Sequence, residues 1–192
     1  MAKRTQWTRW LLAVWAVSVV LVGGALTSFH QPFAAPGAGV LALAGDREGH
    51  GWRAIHFLSG SCQCSQRVMR HLLTRQEMAG VSEQIVMIDG SLPYLDESPA
   101  LLRRLAAAQV AVKHIAEQDV PLDSGLRGVP LLVIVSPQNQ IAYMGGEGVA
   151  GDQDGTIFEQ IRAGLKPAAL PTIGCAVGSR LQRRLDPLHL KY

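Results

Sequence analysis

From Trp10 to Thr27 the chain runs 18 residues (WLLAVWAVSVVLVGGALT) without a charge and without a polar stripe at any helical period. A helix apolar all round belongs in a core or in lipid. At a rise of about 1.5 Å per residue the run just crosses a hydrocarbon core of ~30 Å. Further on, the apolar positions come in short runs between polar, glycine and proline breaks. Trp52–Leu58 (WRAIHFL) has the length and composition of a strand and is broken by Ser59-Gly60-Ser61. Cys62–Met78 follows as a predicted helix, with Val68, Leu72 and Leu73 on the dry side and Arg67, Arg70 and Arg75 on the wet one. Ile85–Ile88, closed by Asp89-Gly90, predicts a buried strand. Pro99–Ile115 predicts a helix, with proline at its start, alanine and leucine throughout and a charged Arg103-Arg104 face. Its last residues, Val110–Ile115, also fit a short strand. Leu131–Val135 is again strand-like, Pro137-Gln138-Asn139 supplies a turn, and Ile141–Met144 pairs back as a hairpin ending in Gly145-Gly146. Thr156–Leu165 is the last amphipathic helix, with Ile157, Ile161 and Leu165 at i, i+4 and i+8. The order β-α-β-α-β-β-α implies an α/β fold, a central mixed sheet with helices on both faces.

Charge places the first segment. Lys3, Arg4 and Arg9 are the only charged residues before Asp46, and the rest of the chain holds 15 basic and 15 acidic residues. The net charge of +3 therefore belongs to the N-terminus. With basic residues ahead of the apolar run and Trp7 and Trp10 at its edge, the N-terminus is expected inside and everything after residue 30 outside. The expected location is thus the inner (cytoplasmic) membrane, single-pass, with a periplasmic or otherwise extracytoplasmic domain. A cleaved signal peptide is the alternative. The run exceeds the usual ~7–15 apolar residues of such peptides and no small-x-small site follows it cleanly, which favours an uncleaved anchor. The sequence shows no cluster of basic residues of the kind phosphate backbones need, so no nucleic-acid partner is expected. The organisation read from the sequence is an anchor over 1–29, a Gly-, Ala- and Pro-rich tether over 30–48, a domain over 49–166 and a C-terminal tail over 167–192.

Three cysteines are too few for a disulfide scaffold. Cys62 and Cys64 flank the start of the first domain helix, where unpaired backbone N–H groups and the positive dipole end favour a thiolate. The thiolate is the attacking species. The alternative, cysteines used as small core hydrophobes, fits poorly beside a glycine and three serines. A Cys-x-Cys disulfide closes a small ring, and strained bridges exchange readily and are the more oxidising ones.

The strand–Cys–helix join HFLSGSCQCSQRVMRHL, Gly128-Val129-Pro130 ahead of an apolar strand, and VIVSPQNQIAYMG over 133–145 occur in an order that resembles the thioredoxin-like superfamily, over about residues 50–165. The resemblance is closest to membrane-tethered periplasmic thioredoxin- and redoxin-type proteins. It implies a thioredoxin-like fold, Cys62 in the attacking position, and Pro130 as a cis-proline facing the cysteines. Such a proline leaves the Val129 backbone open to an incoming peptide. The sequence departs from the family's Cys-x-x-Cys: Ser65 stands where the second cysteine is usual, and Cys64 lies between. His56, six residues before Cys62, occupies a position where the family commonly has a buried proton-accepting carboxylate. It reads either as a proton relay or as a hydrogen-bonded core histidine. His71 is expected at the surface, and His50, His114 and His189 have no evident partner. Cys175 is either a resolving thiol that folds back on the pair or a packing cysteine, and Arg180–Arg184 beside it reads as a solvated helical face.

The function expected from these readings is thiol–disulfide exchange with extracytoplasmic protein thiols or disulfides through Cys62 and Cys64, with His56 and Pro130 in the site and no cofactor. The alternatives are a Sco/SenC-like assembly factor for a respiratory oxidase, holding copper on Cys62 and Cys64, a peroxiredoxin-like peroxidase, and a catalytically silent binding module. Soft thiolates suit Cu(I), but that type spaces its cysteines four apart and adds a downstream histidine. The peroxidases place a proline ahead of their cysteine, which is missing here.

Overall fold

The computed structural model describes residues 2–29, 37, 39–45, 51–178 and 182–183. Helix α1 spans Ala2–Phe29. Within it Gln6–Ala25 is long and apolar enough to cross a membrane, and none of that stretch is buried against protein. Ser18, a hydroxyl inside the stretch, donates to the Val14 carbonyl at 2.8 Å, so it carries no unspent donor into an apolar medium.

The domain is ordered α2 (Val40–Ala44), β1 (Trp52–Leu58), α3 (Gln63–Thr74), β2 (Val81–Asp89), α4 (Ser98–Ala107), β3 (Ala111–Ala116), two 3₁₀ turns, β4 (Gly128–Val129), β5 (Leu131–Val135), β6 (Ile141–Gly145), α5 (Asp154–Arg162) and β7 (Cys175–Ala176). The five-stranded sheet has the order β3-β2-β1-β5-β6, and β4 pairs with β7 in a separate two-stranded ribbon. β1, β2 and β3 are parallel, and β5 and β6 are antiparallel to their neighbours. This mixed sheet flanked by helices is the thioredoxin-like fold.

Alternation along the strands sorts the side chains. Ala54, Leu58, Ile85, Met87, Leu132 and Ile134 pack under α3, α4 and α5. Successive parallel strands moving one way with right-handed crossovers put α3 and α4 on a single face. The opposite set, including Ile55, Phe57, Val86, Ile88, Leu131 and Val133, packs against α2, Leu126, Val177 and Cys62. Helices therefore cover both faces, thickly on one and through the short α2 on the other.

Two expectations are corrected. The tether over 30–48 includes α2, whose Val40, Leu43 and Ala44 are buried in the core; burial, which an uncharged run between glycines does not advertise, makes it part of the domain. The rest of that tether, apart from 37, 39 and 45, lies outside the described residues, as do His50, His189 and most of the tail beyond 178. The helix predicted over Pro99–Ile115 ends at Ala107, and Val110–Ile115 belongs to the strand alternative. Gln109 adopts φ 62°, Val110 N–H closes onto the Leu105 carbonyl, and the chain then pairs with β2.

Candidate functional site

Ser59-Gly60-Ser61 turns the chain from β1 into α3. The turn is closed by Cys62 N–H donating to the Ser59 carbonyl at 3.1 Å. It is pinned from the loop before α4, where Leu95 N–H and Ser98 Oγ donate to the Gly60 carbonyl at 2.9 and 2.8 Å. A Cβ at residue 60 would collide with the Tyr94 ring, so only glycine lets that ring lie against the turn. Cys62 then sits at the N-cap of α3 in extended conformation, and its carbonyl accepts Gln66 N–H at 3.1 Å.

Cys62 is fully buried, and Cys64 and Cys175 are half-buried against it. None of the three is in a disulfide. The Cys62 sulfur lies 3.8 Å from the Val129 carbonyl oxygen, and the Val129–Pro130 bond is cis. Cys175 arrives on β7, directly opposite Val129 in the β4–β7 register. Cys175 thus comes back to the pair and packs against the same core cluster. Ser65 is fully buried, and its Oγ accepts Ser59 N–H at 3.1 Å.

The sulfurs are electrostatically unequal. Hydrogen bonds from the Cys175 and Cys64 thiols, in that order, hold the Cys62 thiol far below the ordinary range, with the Ser65 N–H and hydroxyl adding to them; burial opposes the shift and loses. Cys64 is pushed the other way. Its proton is the one shared with Cys62, burial disfavours its anion, the neighbouring Cys62 charge repels it, and Arg67 offsets only part. The site therefore offers one thiolate at a helix N-terminus and two thiols in reach of it.

His56 stands elsewhere. It is fully buried in β1 at an alternating position with Ala54 and Leu58, on the face packed under α3, α4 and α5, away from the face that Ile55 and Phe57 share with Cys62. Its Nδ1 lies 3.0 Å from Oε1 of Glu147, itself fully buried. Burial works against its imidazolium, but Glu147, then Asp154 and Glu83, raise its pKa above the ordinary value. His56 is thus a buried histidine hydrogen-bonded to Glu147. His71, expected at the surface, is a correction: its Nε2 meets buried Asp154 at 2.7 Å. Asp154 also binds Arg75 Nε at 2.8 Å, and Arg75 reaches Glu83 at 2.7 Å. His114 likewise gains a partner, Asp89, at 3.0 Å. Glu147 and Asp154 carry no local sequence signal, because their partners lie 91, 83 and 79 residues away in the chain. Among the described residues no three His, Cys, Asp or Glu side chains gather as a metal site.

No protein-family model matches the chain, and no curated protein does. Among solved structures, an uncharacterized conserved protein from Geobacillus kaustophilus is similar at 18% identity and a TM-score of 0.51, covering 77% of this chain and 88% of that one. A thioredoxin-like protein from Aeropyrum pernix is 17% identical at a TM-score of 0.40, covering 77% of this chain and 97% of its own. A hypothetical protein from Sinorhizobium meliloti is 17% identical at 0.44, covering 76% and 90%. The first likeness extends to the fold and no further.

Proposed function

We propose that the protein is a membrane-anchored thiol–disulfide oxidoreductase that acts on extracytoplasmic protein thiols or disulfides. The observation that carries this reading is the Cys62 sulfur at the N-cap of α3, beside the Val129 carbonyl, with two thiols donating to it. A thiolate held in this way attacks disulfide sulfur at neutral pH. The Cys62 thiolate forms a mixed disulfide with one substrate sulfur, and the other leaves as a thiolate. A second thiol of the protein then displaces the substrate. Run backwards, the same steps insert a disulfide into a dithiol substrate. α1 anchors the domain, and Lys3, Arg4 and Arg9 at its start hold that end on the cytoplasmic side.

The test is insulin reduction by the full chain in detergent micelles, supplied with a dithiol. Turnover that disappears in Cys62→Ser supports the reading. Turnover unchanged in Cys62→Ser, or none in the wild type, contradicts it. Anaerobic Cu(I) uptake by Cys62 and Cys64 without any exchange activity would move the protein to the metal-delivery class.

A further inference from the structure

β7 lies along the backbone edge nearest the Cys62 sulfur. Val129 faces Cys175 and Gly128 faces Ala176 in antiparallel register, and Val177 N–H donates to the Arg127 carbonyl at 3.0 Å. Gly174 fixes the approach: a Cβ there would overlap the Val129 carbonyl and lie 2.9 Å from Pro130 Cδ. The segment leading in is tied down as well. Leu170 accepts Gly146 N–H at 2.8 Å, and a Cβ on Gly146 would strike Pro171. An extended peptide binds a free strand edge by adding to it as a further strand. Here the protein's own C-terminal strand takes that place, with a cysteine at the position facing Val129.

We infer that Cys175 is the resolving cysteine of this site, and that β7 and the substrate peptide occupy the β4 edge in turn. The inference rests on the proposed function. Cys62 is fully buried and Cys175 of β7 packs against the same cluster; on this inference an incoming disulfide R–S–S–R′ reaches Cys62 when β7 lifts. The Cys62 thiolate attacks, Cys62–S–S–R forms, and R′ leaves as a thiolate. When β7 returns, the Cys175 thiol gives up its proton and attacks the Cys62 sulfur. Cys62–S–S–Cys175 forms and R leaves as a thiolate. Two electrons pass from the Cys62/Cys175 dithiol to the substrate disulfide, and the returning strand displaces the product from its edge. Cys64 is the less suitable resolver. It sits within the first turn of α3, and a bridge to Cys62 must close over Gln63 alone.

The experiment exposes the full chain in detergent micelles to oxidised glutathione near neutral pH, quenches with acid and maps the peptides. The wild type and Cys64→Ser are expected to yield a peptide cross-linked through Cys62 and Cys175. Cys175→Ser is expected to accumulate glutathione on Cys62, about tenfold or more above the wild type, because the intramolecular attacker is gone. A Cys62–Cys64 peptide in the wild type, formed equally fast in Cys175→Ser, overturns the inference and leaves the proposed function standing. Glutathione uptake that is the same in Cys62→Ser as in the wild type overturns both. The Cys64→Ser map decides the question by itself if Cys175→Ser fails to fold.

Discussion

Glu147→Gln removes the charge beside His56 while keeping an oxygen able to accept from Nδ1–H. Both side chains are fully buried and 3.0 Å apart, and neither His56 Nε2 nor Glu147 Oε2 has a hydrogen-bond partner among the described residues. Removing one member of a buried ion pair costs about 3–5 kcal/mol. Because the amide keeps the hydrogen bond, the loss should fall at the lower end, still a large share of a typical stability of about 5–15 kcal/mol. The sign with pH follows from the raised pKa of His56. Its contribution is fully present below the unfolded value of 6.5 and is lost as pH rises through the higher folded value. In the variant, burial acts on the imidazolium without the nearest carboxylate, so acid destabilises it. Urea unfolding of both proteins in micelles, followed by circular dichroism below pH 6 and near pH 9, should give a wide gap in acid that narrows in base. A gap independent of pH, or one that widens in base, would refute a charged His56–Glu147 pair.

Asp154→Ala strips the buried partner of His71 and Arg75 and should cost about 3–5 kcal/mol by urea midpoint. Burial raises the Asp154 pKa but its cationic neighbours lower it further, so that contribution holds above 3.8 and is lost as pH falls through the folded value. His56→Leu should destabilise the domain yet leave the pH profile of Cys62 unchanged; a shifted profile would restore His56 as a proton relay. Gly174→Ala should loosen β7 by about 1–3 kcal/mol through overpacking and speed glutathione capture by Cys62 about tenfold. An unchanged capture rate would mean that β7 does not cover the thiolate. The full chain should resist carbonate extraction from membranes, and a chain lacking residues 1–29 should not.

What was legible in the sequence was local. Trp52–Leu58 and Leu131–Val135 are apolar runs bounded by breakers, and they form β1 and β5 over those residues. Cys62 at a helix start follows from the serine–glycine turn ahead of it. The end of α4 was obscured by alanines that suit a helix well, whereas the strand after them is stabilised by pairing with β2. α2 looks like linker until its burial against the sheet is seen. The His56–Glu147 pair joins positions 91 residues apart, and no periodicity reports such a partnership. Cys175 facing Val129 is likewise a matter of register. Gly174 marks it only once the Val129 carbonyl is known to lie where a side chain would be.

The central claim is a thiolate at Cys62, and its direct measurement is a pH titration of thiolate ultraviolet absorbance in the reduced full chain and in Cys62→Ser. The account predicts one thiolate equivalent in the wild type that persists below pH 5 and is missing from Cys62→Ser. Absorbance that appears only near the ordinary thiol pKa of about 8.5, with the same curve in both proteins, would contradict it.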